Sequence, residues 1–172
     1  KQGAPMQFNT VLSKTSWIVA TAAVPPQPQA RVTIKATSAD AAKSLVELLS
    51  KLRDEKKIGD TVAMVSIADG FGIDLSSAAR PALTNAKFKL AYDKSYPIGT
   101  QDLAPIVNEI KALNPDVFIA FSYPPDTLGL TEQARIAGFN PKIFYTGVGT
   151  AFPLFKQKFG ANLKSKDKKT GK

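Results

Sequence analysis

The chain has 172 residues, of which 44% are hydrophobic and 22% charged, and a formal net charge of +9. That is enough for one well-buried core and a single domain of ordinary globular composition. It contains no cysteine and no histidine, which excludes thiolate nucleophiles, disulfides, the usual zinc sites and a Ser-His-Asp triad.

No apolar run approaches the roughly 18 residues that a membrane-spanning helix needs. No charged-then-apolar signal segment opens the chain, and Lys1-Gln-Gly-Ala-Pro5 reads like the interior of a domain, so a processed or truncated product is expected. Residues 1–37 carry weak signals. Met6 to Leu12 suits a short strand and Trp17 to Val24 is a second apolar segment. Pro25-Pro-Gln-Pro28 is a linker that must be extended or turning. Arg31 to Ala36 alternates, as a strand or an extended connector does.

From Ser38 the pattern sharpens. Ser38 or Asp40 can cap a helix whose apolar positions are Ala42, Leu45, Val46, Leu48, Leu49 and Leu52, one stripe at helical spacing. Its last turn is basic, and Gly59 ends it. Thr61 to Ile67 then reads as a buried strand, followed by Ala68-Asp-Gly-Phe-Gly72 and a helix to about Asn85. Pro81 is expected to kink or shorten that helix. Phe88 to Tyr92 is a more polar, alternating strand that belongs near a sheet edge. After Tyr96-Pro-Ile-Gly-Thr100 comes a helix carrying Leu103, Ile106, Val107, Ile110 and Leu113, stopped by Pro115.

Val117 to Phe121 is a continuous apolar run, the mark of a strand buried on both faces of a parallel sheet. It stops at Ser122-Tyr123, where Pro124-Pro125 forbid further ladder bonds. Asp126 can cap a helix from Leu128 to Ala137, closed by Gly138. Lys142 to Thr146 is a fourth strand, followed by Gly147-Val-Gly149 and a short amphipathic helix from Phe152 to Phe159. Strands alternating with helices at this spacing imply an α/β fold, a three-layer parallel sheet with helices on both faces. The organisation expected is an N-terminal segment 1–37, an α/β lobe 38–163 and a Lys-rich tail 164–172.

In such a sheet all four strand ends point one way, and ligands bind outside them. The rim gathers Asp69, Phe71 and Gly72 from the first turn, Ser122 and Tyr123 from the third strand, and Thr146 and Gly147 from the fourth. Phe71 and Tyr123 suit apolar walls, Ser122 and Thr146 offer hydroxyls, and the glycines let backbone N–H groups approach a ligand. Asp69 serves equally as a helix cap, Tyr123 as packing and the glycines as turn formers. Much of the positive charge is local: Lys164 to Lys172 holds five lysines against Asp167 alone. Such a stretch reads as a solvated end, and no aromatic-basic interleaving points to nucleic acid. Neither GxGxxG nor GxxxxGK[ST] occurs, no acid-base pair of carboxylates stands out, and no metal or cofactor is called for.

The succession Ala68-Asp-Gly-Phe-Gly72, Tyr96-Pro-Ile-Gly-Thr-Gln-Asp102, Leu113-Asn-Pro-Asp-Val117, Tyr123-Pro-Pro-Asp126 and Gln133-Ala-Arg-Ile-Ala-Gly138 resembles one lobe of type I periplasmic binding proteins. Within them it is similar to the branched-chain amino-acid (Leu/Ile/Val) binding group of ABC importers. The resemblance runs from about Lys57 to Leu163. It implies a Rossmann-like lobe of a two-lobed, non-catalytic receptor that closes on a small solute and presents it to a membrane permease. It implies a periplasmic or otherwise extracytoplasmic, lipid-anchored location. It also implies that Phe71 and Tyr123 line the cleft, and that the second lobe is missing from this chain. Thr146 stands before Gly147-Val-Gly149, where amino-acid binders of the family often carry a carboxylate for the ligand ammonium. An uncharged hydroxyl does not replace that ion pair, which leaves room for an aromatic or other carboxylate, or an amide. The alternatives are a ligand-sensing domain of the same fold and, from another class, an α/β nucleotide binder or enzyme.

Overall fold

The structure, a computed structural model, describes residues 18–23, 29–34 and 39–160. The expected strand Met6–Leu12, the Pro25–Pro28 linker and the 164–172 tail lie outside these residues. β1 (Ile18–Ala23) and β2 (Gln29–Ile34) pair antiparallel as a two-stranded ribbon. β2 runs against the edge of the main sheet at β6.

The main sheet contains β3 (Thr61–Ile67), β4 (Lys89–Tyr96), β5 (Val117–Phe121) and β6 (Ile143–Thr146). Their order is β4-β3-β5-β6 and every pair is parallel. Val62 stands opposite Val117, and Ala120 opposite Thr146, so the carboxyl ends finish nearly level. β5 sits inside the sheet with all five residues buried, as its unbroken apolar run requires. β4 forms the edge and exposes Lys89, Asp93 and Lys94 while burying Tyr92 and Tyr96.

Five α-helices cover the sheet: α1 (Ala39–Asp54), α2 (Gly70–Asn85), α3 (Ala104–Leu113), α4 (Pro124–Ala137) and α5 (Pro153–Phe159). One face packs Val62 and Met64 of β3 with Ile119 and Phe121 of β5 against Leu45 and Leu49 of α1 and Ala79 and Leu83 of α2. The other face packs Ala63, Val65, Phe118 and Ala120 against Val107 and Ile110 of α3 and Leu130 and Ala134 of α4. The period-two alternation of β3 and β5 thus feeds two separate cores, and the three-layer expectation holds.

Several boundaries differ from the sequence reading. α4 begins at Pro124, four residues earlier than expected, because a proline in the first helical turn gives up an N–H that the helix does not use. Its N-cap is therefore Tyr123, and Asp126 lies inside the first turn. There the backbone N–H of Tyr123 donates back to the Asp126 carboxylate, as in a capping box. Asp40 likewise falls inside the first turn of α1. Pro81 does not shorten α2, which runs unbroken to Asn85. Both Pro81 and Ser77, whose carbonyl loses its partner, face solvent, so water replaces the missing bond. β4 continues past Tyr92 to Tyr96, and a 3-10 turn (Val148–Ala151) precedes α5.

Candidate functional site at the strand-end rim

The rim is built where β3, β4 and β5 hand over to their helices. Asp69 leaves β3 in an extended conformation and caps α2, its Oδ1 accepting from the Gly72 N–H at 2.9 Å. Its second oxygen is used as well: the Tyr123 hydroxyl donates to Asp69 Oδ2 at 2.7 Å. One carboxylate thereby ties the start of α2 to the end of β5. The Phe71 and Tyr123 rings stack above this link, centroids 5.2 Å apart and planes 22° from parallel. Both rings are half-buried, and Ile73 and Ile98 lie exposed on the same end of the molecule. The bond to Asp69, followed by partial burial, raises the tyrosine pKa of Tyr123, so its hydroxyl stays protonated as a donor.

The other four expected residues lie beneath this surface. Gly72 is buried, and a methyl group there would collide with the Ile67 carbonyl, so glycine lets α2 start against the end of β3. Ser122 is 0% exposed and shares a 2.8 Å hydrogen bond with the Thr127 hydroxyl. The expectation that Ser122 offers its hydroxyl to a cleft is corrected accordingly: the side chain fastens the end of β5 to α4. Thr146 is 1% exposed and its Oγ1 has no hydrogen-bond partner. Gly147 donates its N–H to the Ala120 carbonyl at 2.8 Å, and a methyl group would lie 2.6 Å from the Ser122 oxygen. The structure brings Asp69, Phe71 and Tyr123 together at the surface and sets Gly72, Ser122, Thr146 and Gly147 below as scaffold.

Two further groups belong to the same end, and sequence reading gave them no binding role. Tyr96 closes β4, and its carbonyl accepts from the Ala68 N–H at 2.8 Å, which holds it beside the Asp69 turn. Its ring packs in the core under Phe71 and Tyr123. The hydroxyl is buried without a partner. Burial first, then the charges of Asp126 and Asp69, raise its pKa. Asp126 is 9% exposed; burial raises its carboxyl above the ordinary aspartate range, against the pull of the Tyr123 N–H and its own N–H. Among the described residues, no Lys or Arg forms an ion pair with Asp69 or Asp126. At the opposite end of the sheet, by contrast, Asp116 is paired with Lys142 at 2.8 Å and accepts from the Gly59 N–H at 2.6 Å.

A parallel sheet with an aromatic platform at its carboxyl rim defines a small-molecule-binding α/β lobe. The sequence profile of a family described as "Periplasmic binding protein" matches residues 9–160, and the chain belongs to that family. It is 26% identical over 121 residues to Leu/Ile/Val-binding protein homolog 7 of Brucella abortus (strain 2308), covering 67% of this chain. The chain spans 30% of the length of that curated relative. Among solved structures, it is similar to the leucine-, isoleucine-, valine-, threonine- and alanine-binding protein from Brucella ovis. That match has a TM-score of 0.60 at 20% identity and covers 70% of this chain and 31% of that one. A solute-binding protein of an R. palustris ABC transporter, solved with benzoate, matches with a TM-score of 0.54 at 17% identity, covering 64% and 29%. These likenesses show the fold, one lobe of a type I periplasmic binding protein.

Proposed function

We propose that this chain is a solute-binding lobe of an ABC importer's extracytoplasmic receptor, without catalysis, and that it takes a branched-chain amino acid or a related small carboxylate. The observation that carries this reading is the Phe71–Tyr123 stack at the strand-end rim, locked by the Tyr123 hydroxyl on Asp69. A half-buried aromatic pair over a hydrogen-bonded base offers an apolar wall to a branched or aromatic side chain. The names of the Brucella relatives and of the benzoate complex support that range of solutes. Asp69, Phe71 and Tyr123 are the proposed contacts, shaped from below by Gly72, Ser122, Thr146 and Gly147. The lobe is residues 38–163, with 1–37 leading into it and 164–172 as a basic tail. In the complete receptor a second lobe would close over the solute and the closed form would dock on a membrane permease in the periplasm.

The test is a titration of the chain, labelled with nitrogen-15, with leucine, isoleucine, valine and benzoate. Amide shifts centred on Asp69 to Ile73 and on Tyr123 are expected, and Phe71→Ala or Tyr123→Ala should weaken them about tenfold. Shifts that survive both substitutions unchanged would place the solute elsewhere.

A further inference from the structure

The chain carries 23 Lys and Arg against 14 Asp and Glu, yet two carboxylates at one end of the sheet stand without a basic partner among the described residues. Asp69 sits at the surface turn, its two oxygens bound to the Gly72 N–H and the Tyr123 hydroxyl. Asp126 is buried in the first turn of α4, where only backbone N–H groups offset its charge. A buried carboxylate held without a counter-charge costs several times more than a solvated one. Beside them lies the Tyr96 hydroxyl, 2% exposed and bound to nothing. Both carboxylates act on it, which sets it in the space between them. A buried hydroxyl without a partner is itself costly. Three groups made expensive by folding meet under the Phe71–Tyr123 platform, and all three can accept a hydrogen bond. A group that donates several hydrogen bonds and carries positive charge satisfies them together.

We propose that Tyr96, Asp126 and Asp69 form a recess that receives the ammonium group of an amine-bearing solute. The solute's apolar part then lies against Phe71 and Tyr123, directly above. The recess supplies negative charge from the β4 and β5 ends, on the side of the sheet away from β6, so the uncharged Thr146 at the end of β6 does not bar an amino acid. This assignment rests on reading the rim as the solute site. It narrows that reading from small carboxylates in general to those that also carry an amine.

Three probes of one shape separate the two ideas: L-leucine, 4-methylpentanoate, which lacks its amine, and 3-methylbutylamine, which lacks its carboxylate. Nitrogen-15 titrations of the whole chain are expected to show leucine and the amine shifting Tyr96, Asp126 and Asp69, with 4-methylpentanoate about tenfold weaker or more, the scale of a lost charge-assisted hydrogen bond. Tyr96→Phe and Asp126→Asn should each weaken leucine by a similar factor. Because the Tyr96 hydroxyl has no partner, Tyr96→Phe should leave the melting temperature of the unliganded chain unchanged or raised. A fall would mean that folding already satisfies the hydroxyl, and would overturn the recess. If 4-methylpentanoate shifts Phe71 and Tyr123 as strongly as leucine and Tyr96→Phe changes nothing, the recess is wrong and the rim site stands. If none of the three probes shifts the rim, the rim site fails and the recess fails with it.

Discussion

At the scale of single residues, Asp126 shows how little of a site's chemistry its position in the chain reveals. Following two prolines, it reads as a helix cap. In the fold the prolines are already helical and the carboxylate is carried into the first turn and buried. Burial raises its native pKa above the ordinary aspartate value, with the charge of Asp69 adding to the same effect. The native state therefore holds this proton more tightly than the unfolded chain does. As pH falls from 7 through the native pKa towards the unfolded value, about 3.9, the destabilising charge disappears and this residue's contribution to stability rises. Asp126→Asn keeps an acceptor for the Tyr123 N–H and removes the charge at every pH. The variant is thus expected to be the more stable protein at pH 7, with the difference closing as the pH approaches the ordinary aspartate range. Urea unfolding of both proteins across that interval checks it. A gap that widens on acidification would show that Asp126 is stabilised as an anion.

At the scale of elements, the sequence was most legible where one physical effect dominates. The apolar run Val117 to Phe121 has no reason to exist except burial on both faces, and β5 occupies those five residues. Legibility failed where local and tertiary effects compete. Asp93-Lys94-Ser95 looks like the end of a strand, yet edge pairing with β3 carries β4 on to Tyr96. The binding candidates show the same divide. Phe71 and Tyr123 are visible as aromatics at strand ends, whereas the Tyr96 hydroxyl becomes notable only once α4 and the Asp69 turn enclose it. Pro81 gives an element-scale prediction. It interrupts α2 at a cost of about 3 kcal/mol by general experience and returns up to about 1 kcal/mol by stiffening the unfolded chain. α2 persists because Leu75, Ala79 and Leu83 bury its inner face on both sides of the break. Pro81→Ala should therefore stabilise the protein by about 2 kcal/mol, read as a higher urea midpoint at constant slope. An unchanged midpoint would mean that the backbone absorbs the proline without loss.

At the scale of the whole molecule, the sheet offers a ligand one wall. The right-handed β-α-β connections put α1 and α2 on one face and α3 and α4 on the other, leaving the carboxyl rim as the surface where strand ends, helix starts and exposed apolar groups converge. Small-molecule sites enclose about 70–90% of their ligand. A rim whose aromatic pair is half-buried and whose Ile73 and Ile98 stand 55% and 66% exposed covers a solute from one side. The remaining contact area has to come from a facing surface. The described residues contain one such rim, in a chain that spans 30% of the length of its Leu/Ile/Val-binding relatives. Immobilising a solute costs much the same entropy whether one wall or two receive it, so losing a wall removes favourable contact without removing that cost. For this chain alone we expect a Kd for leucine of about 1 mM or weaker, equivalent to about −4 kcal/mol. Amide-shift titration measures affinities in that range directly. A Kd near 1 µM, about 4 kcal/mol tighter, would require a fully enclosed ligand and would show that the residues of this chain complete the cleft among themselves.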